Sequence, residues 1–247
     1  MASALISSSQ ALRAPRYAGA MGFLDELKAQ AAALQSRQRE DEAAFERCAL
    51  ATDAACKTTF HYWLDLGRQL DVLRPLVPVR YVFDSRHVLD GPAENLRFED
   101  FQVDARRGRL HNLELYQQVV ISCWVRGRRR LVIDKAFPDD IERTEARLAQ
   151  AGVVVAGDAQ RDAETGHFRG MRYEFEADVR VSVRLVPDPA RALVRFVCSN
   201  LEGLDSVHVE FDAAEVDVDL LDELARWWLG HPNRFSTSGR VVERIEP

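Results

Sequence analysis

From Met171 to Leu185 every second residue is apolar: Met171, Tyr173, Phe175, Ala177, Val179, Val181, Val183 and Leu185. The residues between them are Arg172, Glu174, Glu176, Asp178, Arg180, Ser182 and Arg184. Neighbouring side chains of a strand point to opposite faces, so this stretch predicts extended chain with one buried and one hydrated face. Sheets built that way are antiparallel, with one face on a core. The phase of alternation holds through Ala177-Asp178, which excludes a two-residue hairpin there. One strand of this length would reach about 50 Å at ~3.3 Å per residue. The stretch is therefore either two strands joined by a three-residue loop without glycine or one bent strand, for which strong curvature is expected, with a bulge near Ala177. Pro187-Asp188-Pro189-Ala190 then reads as a turn. A four-residue loop there would set Leu185 opposite Ala192, Val183 opposite Val194 and Val181 opposite Phe196.

The first part of the chain has a helical pattern. Residues 22–73 contain no proline, and no glycine falls between Phe23 and Leu66. Residues 21–74 therefore predict a long helix or a helical hairpin. Leu24, Leu27, Ala31 and Leu34 form a narrow seam that continues to Gln38 and Asp41 before Phe45 and Cys48. That seam is coiled-coil-like but shorter than the three or four heptads a stable coiled coil wants. Phe60, Tyr62, Trp63, Leu64, Leu66, Leu70 and Leu73 make a wider apolar face suited to docking on a sheet. Pro75 and Pro78 end the pattern.

Further strands are expected over Val79–Phe83, Leu96–Val103, Leu110–Val125, Arg130–Asp134, Val153–Ala156, Ala192–Cys198 and Val207–Phe211. Gly127-Arg128 fits a two-residue hairpin that would pair Trp124 with Leu131 and Cys123 with Val132. A short helix is expected over Asp139–Ala151, with Pro138 at its start, Gly152 past its end, and Ile141, Leu148 and Ala151 facing inward. A last helix is capped by Asp217 or Asp219 and carries Leu220, Leu221, Leu224 and Trp228 on its apolar face; Gly230-His231-Pro232 stops it. Trp227, beside the core residue Trp228, must point elsewhere, either under the tail or into a contact surface.

These elements predict an α+β chain: a long N-terminal helical arm, a mostly antiparallel curved sheet, one short middle helix, and a C-terminal helix packed on the sheet. Residues 75–232 form the sheet domain and 233–247 read as a polar tail. Residues 1–20 hold no acidic residue and are rich in Ser, Ala and Arg. They read as a disordered tail or a spurious extension ahead of a natural start at Met21; a transit peptide is the compositional alternative.

Composition narrows the function only by exclusion. The net charge of −6 argues against bulk affinity for nucleic acid. The basic stretches Arg106-Arg107-Gly108-Arg109 and Arg126-Gly127-Arg128-Arg129-Arg130 lack interleaved aromatics and would fall at opposite ends of the sheet. No run approaches the ~18 apolar residues of a membrane span. The four cysteines lie far apart, match no metal spacing, and suit free thiols of a reducing, cytoplasmic compartment. Phosphate-cradling glycine loops, the hydrolase elbow and zinc motifs are absent, so no cofactor and no metal is expected.

Asp84-x-x-His87-x-x-Asp90 is the densest acid–base cluster, because a carboxylate beside an imidazole can orient it. An ordinary turn explains the same residues. The reading that results is an interaction or scaffold protein with no catalytic motif. It would act by self-association or partner docking through the arm (Leu24, Leu27, Leu34, Phe45), with Trp227 as a further contact. The alternative is a small-molecule or lipid-binding cup between sheet and C-terminal helix, lined by Tyr173, Phe175, Val181 and Phe196.

Overall fold

The computed structural model describes residues 22–246, so the expected tail over residues 1–20 lies outside the described residues. In chain order the elements are α1 (Phe23–Leu73), β1 (Arg80–Val82), β2 (Val88–Asp90), β3 (Phe98–Leu110) and β4 (Leu113–Lys135), then α2 (Pro138–Ala151) and β5 (Asp158–Arg161). They continue with β6 (Phe168–Asp188), β7 (Leu193–Ser199), β8 (Ser206–Asp212), α3 (Val218–Trp228), α4 (Phe235–Ser238) and β9 (Arg240–Ile245). A seven-stranded antiparallel sheet runs β3-β4-β6-β7-β8-β9 with β5 on the far end of β6; β1 and β2 pair separately. The α+β architecture predicted from the alternation is the one observed.

β6 is one continuous strand of 21 residues. Tyr173, Phe175, Ala177, Val179, Val181, Val183 and Leu185 are buried, and the intervening residues are partly or fully exposed. The bulge expected near Ala177 occurs at that level but in the partner strand. Arg126 pairs with Asp178 and Arg130 with Glu176, so Gly127, Arg128 and Arg129 share the space opposite Ala177. The predicted hairpin at Gly127-Arg128 is therefore replaced by a bulge inside β4. A second long strand beside β6 gives residues 130–135 a ladder partner that a hairpin would have turned away.

The hairpin lies earlier. Leu110 pairs with Leu113 across His111 and Asn112, both at positive φ, as a type I′ turn requires. The β6–β7 loop is displaced by two residues, to 189–192. Leu185 meets Phe196 and Val183 meets Cys198. An even displacement leaves every side chain on its expected face, so the core survives the change of register. Val153–Ala156 forms no strand. Val153 and Val155 pack on the core without a ladder partner, and pairing with β6 starts only at Asp158.

α1 is a single helix of 51 residues. The chain divides into two compact units between Ala44 and Phe45. In the second unit α1 buries Ala49, Thr52, Ala55, Cys56, Thr59, Trp63, Gly67 and Leu70. Small residues on that face let backbone and sheet approach closely: a Cβ on Gly67 would already stand 3.7 Å from Phe101 and Val103. The two buried threonines return their hydroxyl protons to Ala49 O and Ala55 O, which satisfies them within the helix. Trp63 meets Phe196 edge-on at 6.4 Å. Full burial of such side chains contributes about 1.5–3 kcal/mol each before entropy is counted.

α2 ends at Gly152, which adopts φ +80° and donates its N–H to Ala149 O. Asp217 caps α3 by accepting from the Leu220 N–H at 2.9 Å. The polar tail expected after residue 232 instead carries α4 and β9. Phe235 anchors it: this ring is fully buried, 5.3 Å from Phe196 and 5.0 Å from Phe211. β9 then adds to the edge of β8.

Candidate functional site

The turn between β1 and β2 brings Asp84 and His87 together. The Asp84 carboxylate accepts from the backbone N–H groups of Arg86 and His87, both at 2.8 Å, and lies 2.8 Å from His87 Nδ1. It also accepts from Lys135 Nζ at the end of β4, at 2.8 Å. Burial by itself would favour the protonated acid, but these donors prevail and hold the Asp84 carboxyl well below the usual carboxylate range. Asp90 does not join them. It pairs with Arg80, its cross-strand neighbour, at 2.8 Å and accepts from the Ala93 N–H. Asp84 thus closes a turn and ties it to β4, and neither it nor His87 lines any of four surface concavities on the molecule.

Of the residues expected to meet partners, Leu24, Leu27 and Leu34 are exposed, at 63%, 44% and 61%. Phe45 is half-buried and takes the His111 ring edge-on at 4.8 Å. Trp227 is buried. It stacks on Phe235 at 5.8 Å and donates its indole N–H to Glu202, so it lies beneath the C-terminal segment and offers no contact surface. Tyr173, Phe175, Val181 and Phe196 belong to the packed core. Phe175 meets Phe83 at 5.4 Å, and Phe196 is surrounded by Trp63, Phe211 and Phe235. None of these four residues lines any of the four surface concavities.

The hydrated face of the sheet carries a feature that the alternation alone did not single out. Strand register aligns Gln102, Ser122, Ser182, Ser199 and Ser206 in one transverse row. Arg180 and Arg184 flank Ser182 along β6. A concavity of about 400 Å³ opens here between the end of α2 and the strands; its lining includes Gln118, Gln150, Arg180, Ser182, Arg184 and Ser199. Gly152 stands against β6, so close that a Cβ on it would lie 3.0 Å from Arg180 Cβ.

Asn200 fixes the wall. Fully buried, it donates to Gln150 O and Arg180 O, both at 2.7 Å, and its side-chain oxygen accepts from Gln150 Nε2. The hint in the sequence was the run Arg180-x-Ser182-x-Arg184 on the wet parity without an acidic residue. What it could not disclose was that α2 ends beside it. Among the described residues no cluster of His, Cys, Asp and Glu is arranged to hold a metal, and no helix is long and apolar enough to cross a membrane. Comparison of the chain with protein-family models, curated proteins and solved structures finds no match.

Proposed function

We propose that the chain is an interaction protein that self-associates through residues 23–44 of α1. The observation that carries this reading is the exposure of Leu24, Leu27 and Leu34 on one seam within a unit separate from the sheet-bearing one. Phe23 adds to the same end at 76% exposure. Most helical stability in a protein comes from packing an apolar face, and the seam of this segment is the face left to pack.

The seam itself fits a second copy of this helix: antiparallel copies crossing near Ala31 set Leu27 of each against Leu34 of the other. The four-position seam is short, so the association expected is reversible and concentration-dependent.

Light scattering across a concentration series tests this with the full chain. The native protein should rise from one-copy to two-copy mass. A Leu24→Glu/Leu27→Glu/Leu34→Glu variant should stay at one-copy mass, because glutamate keeps the helical preference and removes only the seam. One-copy mass for the native chain at the highest concentration it tolerates overturns the proposal, as does an unchanged two-copy mass in the variant.

A further inference from the structure

We propose that the cleft between the end of α2 and the hydrated face of β6 binds a small organic anion, a phosphate ester or a polycarboxylate, gripped by Arg180 and Arg184. The lining is one of donors. It presents two guanidinium forks, the Ser182 and Ser199 hydroxyls and the Gln118 amide, and no aspartate or glutamate lines it. Three other concavities on this acidic chain are different. One is lined by Glu215, Asp219, Asp222 and Glu223, the next by Glu210, Asp212 and Glu215, and the third, which shares Arg184 with this cleft, by Asp188 and Glu210.

The two arginines are available. Arg180 reaches only the Ser122 hydroxyl, at 3.3 Å, and no carboxylate lies within ion-pairing distance of it or of Arg184 among the described residues. The acidic residues in Arg184's own transverse row, Asp104 and Glu243, sit two and three strands away, about 10 Å and about 14 Å at the spacing of a sheet. Their Cα atoms lie about 13 Å apart along the strand, which lets both side chains close from opposite sides on an anion seated over Ser182. Guanidinium forks match the paired oxygens of carboxylate and phosphate. The wall opposite is preorganised, because the Asn200 amide and Gln150 are held by hydrogen bonds to β6 and to Asp205 O. The volume accommodates a ligand of metabolite size.

Calorimetric titration of the full chain at low salt, with pyrophosphate and separately with citrate, tests the site. One ligand per chain should bind, more weakly as salt is added. The tighter of the two probes tells phosphate from carboxylate recognition. Arg184→Met and Arg180→Met should each weaken binding about tenfold or more, the loss expected for a charge-assisted hydrogen bond. Arg143→Met, two turns before the cleft on α2 where it pairs with Asp140, should bind as the native chain does. Both cleft arginines are exposed, so thermal melts of these variants should match the native protein. Failure of both probes to saturate, or binding undiminished in both cleft variants, overturns the proposal.

Discussion

Asp84 shows how one short side chain can close a turn and anchor it to a distant strand. Its carboxyl is more acidic in the folded chain than in the unfolded one, because Lys135 and the turn's N–H groups outweigh the cost of burial. Its contribution to stability is therefore complete above about pH 4 and is lost as pH falls through the depressed folded value. Asp84→Asn should cost about 1–3 kcal/mol at neutral pH, since it leaves a partly buried ammonium and two N–H groups with a weaker acceptor. The gap to the native chain should narrow toward about pH 2, as the unfolded chain's carboxyl takes up a proton that the folded one still resists. Urea unfolding at several pH values measures this; a gap that stays constant refutes it. The pairing of Asp84 with His87 was legible because they stand three positions apart in one turn. Lys135 was not, since it lies 51 positions further along the chain and only the β4 register delivers it. Asp90 shared the sequence spacing, but the β1–β2 ladder hands it to Arg80.

Long strands rather than hairpins define the elements. Gly127 occupies the β4 bulge, where a Cβ would fall 2.4 Å from Ala177 O and 2.7 Å from Leu89 Cδ1. Gly127→Ala should destabilise by about 1–3 kcal/mol, the usual cost of forcing extra volume into packed surroundings. Gly203→Ala, with its nearest contact at 3.8 Å, should be neutral. Parallel denaturant curves decide, and equal midpoints for the two variants would rule out this reading of the bulge.

Alternation made β6 legible in extent and facing, and the α3 cap and stop were legible from Asp217 and Gly230. Where glycine serves a turn and where it serves a bulge was not. Gly127-Arg128 has hairpin chemistry, whereas the actual turn, His111-Asn112, holds both residues at positive φ without the glycine that usually marks such a turn. The segment after residue 232 lacked periodicity because its order comes from one ring, Phe235, entering a pocket of other elements' aromatics.

In the molecule as a whole, β6 is the strand on which the others depend. It pairs with β4 along most of its length on one edge, and with β5 and β7 on the other. During synthesis β3 and β4 can zip together as soon as they exist, yet the chain from Ala136 to His167 must follow before β6 begins. Until then the second edge of β4, with Val119, Ile121, Cys123 and Val125 on one face, stands open to any other extended chain. A chain ending at His167, which carries β4 but not β6, should therefore lose refolding yield steeply with protein concentration, and the full chain much less so. Yield that is indifferent to concentration would show that this edge is shielded earlier than the order of synthesis implies.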